Sequence, residues 1–106
     1  MNTQLQAILK ELRTRFERLY GERLLNMVLY GSQARGDADA GSDIDVMVVL
    51  DGTVDPCLEI ARTEVDVADV SLENNVAIVC VFVSRQRYET EQSPLLINVR
   101  REAVQV

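Results

Sequence analysis

Two carboxylates separated by one residue, Asp43 and Asp45, open an apolar run that ends at Leu50. Side chains on a strand alternate faces, so a strand here points both carboxylates the same way. Like charges on one face, at the edge of an apolar core, repel each other and cost desolvation. They either merely open a strand after a turn or hold a divalent cation between hard oxygen ligands. The cost of burying an uncompensated pair favours the cation. Ten residues separate Asp43 from Gly31-Ser32, which closes an earlier apolar run from Leu24 to Tyr30. Gly31 lets the backbone turn and lets a ligand approach closely. Ser32 adds a hydroxyl and an N–H, and Arg35 adds a fixed positive charge. A phosphate cradle on one side and carboxylate-bound metal on the other is the layout for nucleotide chemistry. Asp43 and Asp45 are therefore the candidate catalytic and metal-binding residues, and Gly31, Ser32 and Arg35 the candidate nucleotide contacts.

These residues need elements to hold them. Leu24 to Tyr30 and Ile44 to Leu50 read as buried strands, being short, apolar and bounded by glycine. Residues 33 to 36 form a helical turn whose N–H groups face a phosphate. Asp37 and Asp39, in the polar loop that follows, read as solvated. Upstream, Leu5, Ile8, Leu9, Leu12, Phe16 and Leu19 recur every three or four residues, one face of an amphipathic helix. Thr3 with Gln6 fits a capping box, and Gly21 a helix stop. Arg13, Arg15, Arg18 and Arg23 either form its solvated side or meet phosphates or a partner. Asp55-Pro56 starts a second long helix. Leu58, Ala61, Val65, Ala68 and Leu72 predict its buried face, with Glu59, Glu64, Asp66 and Asp69 in solvent. Val76 to Val83 is continuously apolar and reads as a central or well-covered strand. Ser84 caps a short helix through Tyr88, and Ser93-Pro94 starts another with Leu95, Leu96 and Val99 buried. Val104 and Val106 either add an edge strand or fray.

A chain of 106 residues has room for one modest core, so residues 1–106 are read as a single domain. The net charge of −6 argues against direct nucleic-acid binding, which needs a basic surface. It suits a basic protein partner or a metal–nucleotide substrate. No apolar run approaches the length of a membrane span, and the first residues lack the segments of a signal peptide. Cys57 and Cys80 have no metal-type spacing and read as free buried thiols in a reducing cytoplasm. With no histidine in the chain, histidine catalysis and histidine–metal sites are excluded. The order helix, strand, strand, helix, strand, helix predicts an α/β sandwich with a small mixed sheet, helices mainly on one face and the other partly open.

Gly31-Ser32, the spacer and Asp43-Ile44-Asp45 resemble the signature of the nucleotidyltransferase superfamily related to polymerase beta. The fuller string from Gly31-Ser32-Gln33-Ala34-Arg35-Gly36 to Ser42-Asp43-Ile44-Asp45-Val46 is similar to the minimal nucleotidyltransferase (MNT) family, the antitoxin half of HEPN–MNT toxin–antitoxin pairs. The likeness is strongest over residues 28 to 50. It extends more loosely to Ser93–Leu96 and Val99–Glu102, which look like the family's last helix. The resemblance implies a nucleotidyltransferase-like fold, Mg2+ as cofactor and ATP as substrate. It also implies a hetero-oligomer with a HEPN-family toxin and transfer of AMP onto a toxin tyrosine. Resembling enzymes usually carry a third carboxylate on the next strand, and Val76 to Val83 has none. Two main readings therefore stand: a protein adenylyltransferase, or a degenerate nucleotidyltransferase fold that neutralises the toxin by occlusion. A third, transfer onto a small molecule such as an antibiotic, would need a second domain or a dimer to close the pocket.

Overall fold

The computed structural model describes residues 2–39 and 41–106. Helix α1 (Thr3–Tyr20) begins under an asparagine cap, with Asn2 Oδ1 accepting from the Leu5 N–H at 2.7 Å. The predicted Thr3–Gln6 box is replaced because Asn2 lies one position earlier in extended backbone, where its short side chain reaches the first turn. Leu5, Ile8, Leu9, Leu12 and Phe16 are buried as predicted. Leu19 is exposed, and Tyr20 is buried in its place. A 3-10 turn, Gly21–Arg23, leads into β1 (Leu24–Tyr30). Next come the one-turn helix α2 (Ser32–Arg35), β2 (Ile44–Leu50) and α3 (Pro56–Asn74). The chain ends with β3 (Ile78–Ser84), α4 (Arg85–Thr90), α5 (Pro94–Glu102) and β4 (Val104–Gln105).

The four strands form one mixed sheet in the order β3-β2-β1-β4. β1 runs antiparallel to β2 and to β4, while β2 and β3 run parallel through the α3 crossover. β3 is thus an edge strand and not a central one. Its apolar run comes from packing on both faces: Phe82 joins the α1–α3 side and Val83 the other, while Val79 remains 41% exposed. On one sheet face α1 and α3 pack over Ile44, Val46, Val48, Leu50 and Phe82. On the other, α5 sets Leu96 and Val99 against Val28, Met47, Val49 and Val83. Leu95 is exposed, contrary to the sequence reading. Asp45 follows the alternation of Met47 and Val49 along β2, and Asp43 lies just before the strand.

Helix α3 departs most from expectation. Leu58, Ala61, Val65, Ala68 and Leu72 all face solvent. The residues turned inward include Glu59, Thr63 and Val70. Glu59 is 1% exposed. Its carboxylate accepts from Tyr20 Oη at 2.8 Å and Arg23 Nη1 at 3.1 Å, with Arg62 Nε at 3.4 Å. A buried carboxylate persists only when paired and hydrogen-bonded, and these donors meet that condition. Arg15 fastens the same helix through Asp66 at 3.2 Å and Asp69 at 3.1 Å. Arg13 donates to the Val106 carbonyl at 2.6 Å. These arginines therefore tie elements together and are not simply a solvated face. Cys57 is exposed rather than buried, and Cys80 is half-buried with its thiol pushed up to about 12 by burial. Both are free thiols. Among the described residues no helix is long and apolar enough to cross a membrane.

Candidate nucleotide and metal site

The site gathers where β1 ends and β2 begins. Tyr30 is the register partner of Asp45 across the antiparallel pair, so both side chains stand on one face. Gly31 follows with φ +75°, a left-handed value that glycine adopts freely. A Cβ at Gly31 would lie 2.7 Å from Asp45 Oδ2. Both needs select glycine: the turn requires positive φ, and its backbone packs directly against the carboxylate. Gly31 O accepts from the Ala34 and Arg35 N–H groups, both at 3.1 Å, which winds α2 beside Asp45. That leaves the Ser32 and Gln33 N–H groups at the start of α2 without an intrahelical acceptor.

Gln33 was not singled out in the sequence, yet its Nε2 donates to Ser42 O at 3.3 Å. That bond clips α2 to the loop immediately before Asp43. Tyr30 was missed too, because an aromatic at a strand end reads as core. Arg35 reaches Asp37 Oδ2 and Glu102 Oε1, each at 3.2 Å, and so ties α2 to the end of α5. The structure brings Gly31, Ser32 and Asp45 together, with Asp43 adjoining. Arg35 stands at the far end of α2 with its charge already paired.

The electrostatics are those of an uncompensated pair. The Asp45 carboxyl is held above the usual aspartate range by burial and, secondarily, by the charge of Asp43. Tyr30 is likewise raised by burial, then by Asp45 and Cys80. Among the described residues no salt bridge reaches Asp43 or Asp45. A cation bound there would reverse the Asp45 shift, so the donor chemistry fits a hard divalent ion. The set is short by one: no group of three metal-type side chains occurs among the described residues. On β3, Val79 is the register partner of Asp45 and Val81 that of Met47. The face that would offer a third carboxylate offers valine. A groove of about 910 Å3 is lined by Gln33, Asp39, Ser42, Asn74 and Asn75 among others, and neither carboxylate lines it.

This fold and carboxylate pair define a nucleotidyl-transfer type of domain. A nucleotidyltransferase-domain family model matches residues 9–93, and the chain belongs to that family. Its fold is similar to a toxin–antitoxin crystal structure with AMP-PNP, at 22% identity and a TM-score of 0.61, covering 89% of this chain and 68% of that one. It is also similar to a mutant MntA-HpeT toxin–antitoxin, at 24% identity and a TM-score of 0.59, covering 100% and 72%. No curated protein matches the chain significantly.

Proposed function

We propose that the chain is an antitoxin that silences a HEPN ribonuclease toxin by Mg2+- and ATP-dependent transfer of AMP onto a toxin tyrosine. The observation that carries this reading is the Asp45 carboxylate packed against the Gly31 turn, with the charge of Asp43 beside it. The likeness to toxin–antitoxin structures supports the choice of acceptor. Asp43 and Asp45 would hold the metal, which supplies charge neutralisation at the phosphates and a more acidic acceptor hydroxyl. The Gly31–Ser32 backbone and the Ser32 side chain would hold the triphosphate, with Arg35 as counter-charge once released from Glu102. In the transfer, the tyrosine oxygen forms a bond to the α-phosphorus. The bond from that phosphorus to the bridging oxygen breaks, and pyrophosphate leaves. The phenolic proton passes to water or to a base on the toxin, since β3 offers none. The open face beside Asp43 admits an acceptor carried on another protein.

Mass spectrometry of the cognate toxin, incubated with this chain, ATP and magnesium, tests the proposal. The expected result is one added AMP on a tyrosine, lost with Asp43→Asn. Val79 beside Asp45 favours a second reading, neutralisation by occlusion alone. A toxin neutralised at unmodified mass would establish that reading instead.

A further inference from the structure

Helix α3 carries more apolar surface than its own domain uses. Its inward side meets the core through Val67 and Val70 but also carries Glu59, held by Tyr20 and Arg23, Asp66, held by Arg15, and Thr63, whose hydroxyl donates to the Glu59 carbonyl. Its outward side carries Leu58, Ala61, Val65, Ala68 and Leu72, spaced by three, four, three and four, with Leu58 49%, Val65 71% and Leu72 81% exposed. Isolated exposed leucines are ordinary, whereas a continuous stripe with coiled-coil spacing marks a surface that another helix covers.

The pattern of the stripe identifies the occupant. Read outward from Val65, Leu58 and Leu72 lie at equal distances, Ala61 and Ala68 nearly so, and Arg62 and Asp69 nearly so. A two-fold axis through Val65 therefore sets each leucine near its counterpart and lets the alanines bring the backbones close. It also places each Arg62 beside the other chain's Asp69. Glu64 opposes its own copy near the axis, one exposed like-charge contact against two opposite-charge pairs. We propose that α3 pairs antiparallel with α3 of a second copy of this chain. The surface lies on the sheet face away from Asp43 and Asp45, so both carboxylate pairs stay open in the dimer. At 19 residues, α3 is roughly 28 Å long, which gives an interface at the small end of the stable range and a concentration-dependent dimer.

Sedimentation velocity over a wide concentration range reads the association directly. Val65→Glu, at a site too exposed to carry folding energy, sets two carboxylates on the axis and should weaken the dimer roughly tenfold or more. Its thermal melt at high dilution and its nucleotide affinity should stay at parental values. Glu64→Gln should tighten the dimer. In a Cys57→Ser background, Val65→Cys should cross-link under mild oxidation. Leu58→Cys alone should not, and Leu58→Cys combined with Leu72→Cys should. A chain that is monomeric at every concentration overturns the proposal. So does a Leu58→Cys chain that cross-links as readily as Val65→Cys, since that pairing is parallel. If the chain alone is monomeric but Val65→Glu abolishes its complex with a toxin, the stripe belongs to that partner and self-pairing is wrong. None of these outcomes depends on AMP transfer, so the two proposals fail separately.

Discussion

Val79 stands beside Asp45, in register on the neighbouring parallel strand and on the same face of the sheet. An acid at that place would complete a three-carboxylate metal site. With valine there, a cation held by Asp43 and Asp45 would depend on phosphate oxygens for its remaining ligands. Because Val79 is 41% exposed, the position tolerates substitution without opening a cavity.

Val79→Asp should therefore raise magnesium affinity and quicken AMP transfer by at least about tenfold, through the added ligand and base. Without metal it should melt below the parent, since a third like charge joins the pair; magnesium should recover more melting temperature in the variant than in the parent. Calorimetric magnesium titration and paired melts check this. Equal metal response in both proteins would remove Val79 from the site.

Gly31→Ala and Gly36→Ala separate backbone strain from collision. Both glycines have positive φ, +75° and +81°, but only Gly36 is in the left-handed helical region, where alanine should cost about 1–2 kcal/mol in urea unfolding; Gly31, with ψ −156°, sits where only glycine is at ease, and its alanine should cost more. Only at Gly31 does the new Cβ meet Asp45, at 2.7 Å from Oδ2, while nothing lies within 4 Å at Gly36. Magnesium–ATP affinity should fall for Gly31→Ala and hold for Gly36→Ala. The same affinity for both would mean that Asp45 swings aside without consequence.

The raised Asp45 pKa has a definite sign in stability. The folded state favours the protonated carboxyl, so Asp45 contributes most below its unfolded pKa. That contribution is lost as pH rises through the raised folded value. In metal-free buffer Asp45→Asn should be more stable than the parent at neutral pH. The advantage should shrink on acidification through the window just above the ordinary aspartate value. Denaturant titrations of both proteins across that range measure it, and a gap that widens toward acid contradicts the burial of Asp45.

Tyr20→Phe removes one donor from buried Glu59 and keeps the ring. A hydrogen bond to a buried charge is worth roughly 1.5–3 kcal/mol, which is the expected loss of stability. Magnesium–ATP binding should not change, because this network serves the opposite face of the sheet. A neutral Tyr20→Phe would show that Arg23 and Arg62 suffice for Glu59.

The chain's local chemistry is written in the sequence. Gly31-Ser32, the spacer and Asp43-Ile44-Asp45 specify a turn and a carboxylate, Asp45, packed against it. The caps at Asp55, Ser84 and Ser93 specify where helices begin, since these side chains act on amides only two or three residues away. What depends on distant partners was decided in three dimensions. Leu58, Val65 and Leu72 look like a buried face because they form the longer of two apolar stripes on this helix, yet Val67 and Val70 on the other are the ones that meet the core. Tyr20, Arg23 and Arg15 lie 39, 36 and 51 residues away from the acids they hold, Glu59 for the first two and Asp66 for the third, and they turn that helix the other way. The sequence shows that β3 lacks an acid. Which residue stands beside Asp45 was decided by the crossover through α3, because strand register follows from how the connecting helix packs and not from the strand's own composition.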